Sequence, residues 1–132
     1  MSRPGPMNPM AQAIRAAATG PLTATAGGAT AAYSFEAGFP GYDGHFPGFA
    51  ILPAVVQLLA AATLVEDWRG QSLTLVSVEN AKFLIQLHPG RAVTIRCRER
   101  LISGRRRFDV SLEVDAGLAA SALLGFAEDA GR

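Results

Sequence analysis

The stretch that decides the fold is GHFPGFAILPAVVQLLAAATL, residues 44–64. His45 stands between glycine-flanked turns at its start, and the apolar segment that follows contains no charged side chain. This segment predicts a helix from about residue 50 or 53 to residue 68, closed by Arg69 and Gly70. Because it is apolar on all sides, we expect the helix to be enclosed on every side. The sequence therefore places a titratable histidine at the mouth of a buried helix.

The rest of the chain predicts one short helix and a set of strands. Residues 10–18 are alanine-rich and end before Gly20-Pro21, whereas residues 22–26 and 31–37 flank the turn Gly27-Gly28. After Gly70 the hydrophobic period changes to two, as in half-buried antiparallel strands. These strands are predicted over residues 73–78, 82–87, 92–102, 108–114 and 118–126. We expect an α+β fold with a curved antiparallel sheet wrapped around one long central helix, formed by residues 22–132 after an N-terminal extension over residues 1–21.

Composition excludes several classes of protein. The chain has 132 residues and a net charge of +1, which is not typical of a nucleic-acid-binding protein. Its single cysteine excludes an internal disulfide and is compatible with a reducing cytoplasm, and two histidines with one cysteine predict no metal site. No apolar run reaches the roughly 18–20 residues of a membrane span. A hydrophobic content of 49% suggests a buried interface between two copies or a lipid-like ligand.

The motifs around His45 resemble a known family. GHFPG at residues 44–48, ILP at 51–53 and VVQ at 55–57 are similar to the signature of hot-dog-fold 3-hydroxyacyl-acyl carrier protein dehydratases. VENAKF at residues 78–83 and HPG at 88–90 match the segment that follows the helix in that family. The resemblance covers roughly residues 22–126 and implies a hot-dog fold that pairs through edge strands into a homodimer or a multiple of it.

The resemblance implies removal of water from a 3-hydroxyacyl thioester to give a trans-2-enoyl thioester. The substrate would be carried on the phosphopantetheine of an acyl carrier protein or of coenzyme A, with no further cofactor. By the same resemblance, His45 is the base for the C2 proton, and the backbone N–H groups of Ala54 and Gly48 stabilise negative charge on the thioester oxygen. Residues implied to contact the substrate are Phe46, Pro47, Phe49, Pro53, Gln57 and Leu59.

Two positions depart from the family pattern. The family's acid lies fourteen positions after the histidine, where this chain has Leu59, and the glycine expected after Pro53 is Ala54. Asp43 and Glu79 are the nearest replacement carboxylates by sequence. Three readings therefore stay open: a dehydratase of a divergent branch such as the aryl-polyene type, a hot-dog thioesterase, and a non-catalytic acyl binder or structural dimer partner.

The remaining polar features have simpler interpretations. The arginine run Arg105-Arg106-Arg107 predicts a solvated strand and turn, or alternatively a docking surface for an acidic carrier protein. Cys97 alternates with arginines in its strand and is expected to pack in the core. His88 is expected in a loop.

Overall fold

Six antiparallel strands form one sheet with the order β1-β2-β4-β5-β6-β3. The computed structural model describes residues 9–42 and 50–127. The elements are α1 (Pro9–Ala16), β1 (Thr23–Thr25), β2 (Gly28–Ser34), a 3-10 turn (Pro40–Tyr42), α2 (Ala54–Arg69), β3 (Leu75–Phe83), β4 (Ala92–Ile102), β5 (Arg105–Val114) and β6 (Gly117–Phe126). The long helix α2 packs against β2, β4, β5 and β6. This arrangement confirms the predicted hot-dog fold, with one antiparallel sheet packed on one long helix.

Apolar and polar residues alternate along β4 and β5, and the apolar ones face the core as predicted. Val93, Ile95 and Cys97 are buried on β4, whereas Arg96 and Arg98 are exposed on the opposite face. The strands are joined by a tight turn whose two central residues, at positions 103 and 104, have φ values of 53° and 78°. Two successive positive φ values give a turn whose twist matches that of the flanking strands.

Two predicted boundaries were wrong. Strands were expected over residues 73–78 and 82–87, but one strand, β3, runs through the gap between them and ends at Phe83. Four strands therefore follow α2 rather than about five, and residues 84–87 lie outside the sheet. The pairing of β3 with β6 shifts register between Glu79 and Lys82, and Asn80 has a φ of 55°, so a bulge lets the strand continue. Gly28 lies in β2 rather than in the predicted turn. At this position in the strand, any side chain would collide with the backbone carbonyl of Cys97.

The expectation that α2 is enclosed on every side was also wrong. Leu64 and Val65 are fully buried, but Val55 is 61% exposed, and Leu58 and Leu59 are only partly buried. Residues 60–65 are all buried, so the middle of the helix is covered all round, whereas its first two turns leave apolar side chains uncovered. An all-apolar helix therefore does not imply enclosure within a single chain.

The short helix α1 packs against α2 and joins the same core. Its Ile14 is fully buried. Among the described residues, no helix has the length and hydropathy needed to cross a membrane.

Candidate functional site

The N-terminal end of α2 has unpaired backbone donors. Pro53 precedes the helix with φ −62° and ψ 151°, and no side chain caps it. The N–H groups of Val56 and Gln57 donate to the carbonyl of Pro53, each at 3.0 Å. The N–H groups of Ala54 and Val55 have no partner among the described residues. Because free donors and the helix dipole both favour negative charge, this end of the helix is suited to an oxyanion.

A cavity of about 540 Å³ lies beside this helix end. Its walls come from the residues that lead into α2, from Gln57, and from the segment after β3, and they consist of Ile51, Leu52, Pro53, Ala54, Gln57, Phe83, Leu84, Ile85 and Gln86. The N–H of Leu52 donates to the carbonyl of Leu87 at 2.9 Å, which ties the two walls together. A mostly apolar cavity with few polar groups is suited to an acyl chain.

The second wall was missed by the sequence analysis. The pattern over residues 82–87 predicts a strand, and nothing in the local sequence indicates that its end faces the helix. Phe83 and Leu84 are large and apolar, yet both are exposed, and both line the cavity. Only the pairing of β3 with β6 brings them beside Ala54.

Gln57 is the buried polar side chain of the cavity wall, whereas the other glutamine of the wall, Gln86, is exposed. Its side chain is 4% exposed, and its Nε2 donates to the carbonyl of Leu52 at 3.0 Å. Because the Leu52 carbonyl can only accept a hydrogen bond, the end of the Gln57 amide that faces it must be the nitrogen. The other end, Oε1, is buried and has no hydrogen-bond partner among the described residues.

No described carboxylate lines the cavity. Leu59 occupies the position of the family's acid and is partly buried. Glu79 is exposed on the edge strand β3 and does not line the cavity. Glu66 lies about 18 Å along the helix from Ala54 at 1.5 Å per residue. The described part of the chain therefore contains no replacement acid within this site.

The histidine motif lies outside the described residues, and so do the predictions that fall on it: Asp43, His45, Phe46, Pro47, Gly48 and Phe49. The residue that follows the motif is Ala50, whose carbonyl oxygen accepts a hydrogen bond from Nδ1 of His88 at 3.1 Å. His88 is a loop residue, as predicted, and it anchors the chain that leaves the motif to the loop before β4.

The three arginines of the predicted docking surface lie elsewhere in the chain. Arg106 pairs with Glu99 at 2.7 Å, and Glu99 also pairs at 3.5 Å with Arg69, the last residue of α2. The helix is about 24 Å long at 1.5 Å per residue, so this cluster and the cavity are at its opposite ends. Within one chain, Arg105, Arg106 and Arg107 are not brought together with Gln57 and Ala54.

Cys97 is buried and faces the core, as predicted. Burial raises the pKa of its thiol to about 11, so the thiol is protonated at neutral pH. Across residues 9–42 and 50–127, no group of three or more His, Cys, Asp or Glu side chains is arranged to hold a metal ion.

The comparison with known families agrees with this geometry. A sequence model of the ApeI-like family, described as ApeI dehydratase, matches residues 23–121. The chain belongs to the ApeI-like dehydratase family. It is also 34% identical over 97 residues to a 3-hydroxyacyl-[acyl-carrier-protein] dehydratase FabZ of Ruminiclostridium cellulolyticum, covering 67% of this chain and 68% of the relative. A FabZ of Lawsonia intracellularis is 31% identical over 68 residues, 44% of each chain.

Solved structures share the fold of this ApeI-like chain. The dehydratase heterocomplex ApeI:P from Xenorhabdus doucetiae aligns with a TM-score of 0.69 at 17% identity, covering 84% of this chain and 96% of the other. The Escherichia coli PaaI protein from the phenylacetic acid degradation operon aligns with a TM-score of 0.63 at 14% identity, covering 88% and 85%. At such identities, the structures support the fold alone, and the dehydratase assignment comes from the family match.

Proposed function

We propose that this protein dehydrates a 3-hydroxyacyl thioester carried on a phosphopantetheine arm, giving the trans-2-enoyl thioester. The observation that supports this most is the free N–H pair of Ala54 and Val55, which opens beside an apolar cavity in a member of a dehydratase family. In the reaction the C2–H and C3–O bonds break and the C2=C3 bond forms. The C2 proton passes to a base and the 3-hydroxyl leaves as water with a proton from an acid, so the net loss is one water molecule. Negative charge that gathers on the thioester oxygen is stabilised by the N–H donors at the helix end.

His45 is the proposed base for the C2 proton, nine positions before Ala54 in the sequence. Because Leu59 has no proton to donate, the departing hydroxyl receives its proton from another group. Asp43 of the same chain and Glu79 of a second copy are the proposed donors. The loss of a general acid costs about 10²–10⁴-fold in rate, so the expected enzyme is slow and favours an easily dehydrated substrate.

The test is to measure the formation of enoyl thioester from 3-hydroxyacyl thioesters by the wild type and by His45→Ala. We expect the variant to be slower by about 10²-fold or more. Arg98→Ala is the control, because Arg98 is exposed on the far face of the sheet. Equal background rates in the wild type and His45→Ala would contradict a catalytic role. Release of free thiol without enoyl product would instead indicate a thioesterase.

A second candidate function is that of a non-catalytic subunit in a dehydratase assembly. It is favoured by Leu59 and by the absence of a carboxylate from the described cavity. A structurally similar solved chain belongs to a dehydratase heterocomplex, ApeI:P. Under this alternative, the wild type binds an acyl thioester without turnover. Turnover by the wild type separates the two proposals: enoyl product formed by the wild type supports a working site, and its absence while Leu59→Glu, which restores the family's acid, forms product supports the binding role.

The proposed assembly is a homodimer, or a multiple of it, formed through the edge strand β3 and the start of α2. Large apolar side chains are uncovered there: Val55, Val76, Phe83 and Leu84. An unpaired edge strand with exposed apolar residues is suited to pairing with a second copy. We expect a dimer in sedimentation velocity and a monomer for Val76→Lys. Leu101→Lys is the matched control, because Leu101 is 72% exposed but lies near the β4–β5 turn.

Arg105, Arg106 and Arg107 are the proposed docking surface for an acidic carrier protein. Since they lie at the far end of α2 from the cavity of their own chain, we propose that they serve the site of a neighbouring copy. We expect Arg105→Glu to raise KM for carrier-protein substrates and to leave KM for coenzyme A substrates unchanged. Equal effects on both substrates would contradict this role.

A further inference from the structure

Gln57 carries an unsatisfied hydrogen-bond acceptor in the cavity wall. The side chain is 4% exposed, and its Oε1 is buried without a partner among the described residues. A buried acceptor left without a donor destabilises the folded state, so such atoms are uncommon in native proteins. A bound ligand with a suitably placed O–H or N–H group would satisfy it.

The position of this oxygen is held from two sides. Nε2 of Gln57 donates to the carbonyl of Leu52, while the N–H of Leu52 donates to the carbonyl of Leu87. The Leu52 side chain is itself fully buried. Because the amide cannot rotate without losing its bond to Leu52, Oε1 is kept in place before any ligand arrives.

The polar groups of the cavity match the reacting end of one class of substrate. The helix end offers two donors, the N–H groups of Ala54 and Val55, and Gln57 offers one acceptor. In the acyl part of a 3-hydroxyacyl thioester, the carbonyl oxygen accepts and the 3-hydroxyl is the only group that donates. A saturated acyl thioester and the enoyl product both lack that donor.

We infer that Oε1 of Gln57 accepts a hydrogen bond from the 3-hydroxyl of the substrate, which makes Gln57 a specificity-determining residue. This inference rests on the proposed function and adds the group that distinguishes 3-hydroxyacyl thioesters from saturated and enoyl ones. An amide oxygen has no proton to give, so Gln57 positions the hydroxyl and another group protonates it as it leaves. The enoyl product loses this bond and is therefore bound less strongly than the substrate.

The inference is tested by calorimetric binding of three oxygen esters of the pantetheine arm, in which oxygen replaces the thioester sulfur and no N–H donor is added beside the carbonyl. They carry the 3-hydroxyhexanoyl, 3-fluorohexanoyl and hexanoyl groups, so they differ only in the substituent at C3. Fluorine cannot donate a hydrogen bond. The proteins compared are the wild type, Gln57→Leu, and the control Thr63→Val. Thr63 is a buried polar residue of the same helix whose Oγ1 donates to the carbonyl of Leu59, and it does not line the cavity.

We expect the wild type and Thr63→Val to bind the 3-hydroxy compound about tenfold more strongly than the other two compounds. In Gln57→Leu, the three affinities should become equal. Equal affinities in the wild type would overturn the inference but leave the proposed function standing, since the acyl compounds still bind. A hydroxyl preference that persists in Gln57→Leu would also overturn it. If Gln57→Leu does not fold, the 3-fluoro compound tests the inference in the wild type alone. Binding of it as strong as that of the 3-hydroxy compound would exclude donation of a hydrogen bond to Oε1. Binding of none of the compounds would overturn the proposed function as well.

Discussion

The two ends of α2 are built differently. At the C-terminal end every charged group of the last turn is paired: Glu66 and Asp67 with Arg15, and Arg69 with Glu99. Gly70 closes the helix in the left-handed conformation, with its N–H donating to the carbonyl of Glu66 at 2.7 Å. At the N-terminal end, the described residues supply no side-chain cap and leave two N–H groups and one amide oxygen without a partner.

Under the proposed function, this difference separates a structural end of the helix from one that serves the substrate. Satisfied polar groups at the C-terminal end hold α1, α2 and the β4–β5 hairpin together. Unsatisfied groups at the N-terminal end reduce stability but are available to a ligand, as is common at binding sites. Three substitutions test this contrast, since those at the N-terminal end should alter activity and those at the C-terminal end should alter stability.

The largest effect is expected from Ala54→Pro, which removes one free N–H. Proline is accepted at the first position of a helix, and Pro53 already has the extended conformation required before a proline. The helix should therefore form with little change in the free energy of unfolding. Loss of one oxyanion donor is expected to lower kcat by about 10²–10³-fold.

Enoyl formation and thermal unfolding of Ala54→Pro are measured on the same preparation. Ala54→Ser, which keeps the N–H, should lose much less activity. A stable Ala54→Pro variant with normal kcat would show that the N–H of Ala54 takes no part in the reaction.

A middle-sized effect is expected from Gly70→Ala at the other end. Gly70 has a φ of 72°, and a Cβ there would meet no neighbouring atom within 4 Å, so the cost is that of the backbone alone. We expect the free energy of unfolding to fall by about 1–2 kcal/mol, measured by urea denaturation. Gly20→Ala is the control, because Gly20 also has open space around it but no positive φ. A loss of kcat in folded Gly70→Ala would break the contrast between the two ends.

The smallest effect is expected from Arg15→Gln. Arg15 donates to Asp67 at 2.9 Å and to Glu66 at 3.3 Å, but its side chain is 40% exposed. Exposed ion pairs contribute about 0.2–1 kcal/mol, and salt screens them. The stability difference from the wild type should shrink as salt is added. Arg98→Gln is the control, because it removes a cation that has no ion pair among the described residues. Its stability difference from the wild type should not change with salt. A loss of stability in Arg15→Gln that is independent of salt would mean that packing, not charge, is responsible.

Most of the fold was predictable because local patterns encode it. The alternation in residues 92–102 and 108–114 matched β4 and β5, and the apolar run after Pro53 matched α2. The bulge in β3 was not predictable, since it depends on how that strand pairs with β6 rather than on its own pattern. The candidate site was half predictable: the motif indicated the start of α2, but not the wall formed by Phe83 and Leu84.

The sequence by itself determined the α+β class, the position of the long helix, the family resemblance and the substitution of Leu59 for an acid. These follow from residue identity and spacing along the chain. Only the tertiary structure decided that Val55 is uncovered, that Arg106 lies at the far end of α2 from the cavity, and that Oε1 of Gln57 is buried without a partner in residues 9–42 and 50–127. The reason is physical: burial and hydrogen-bond satisfaction depend on which distant segments meet, and that is set by strand pairing and packing rather than by neighbours in sequence.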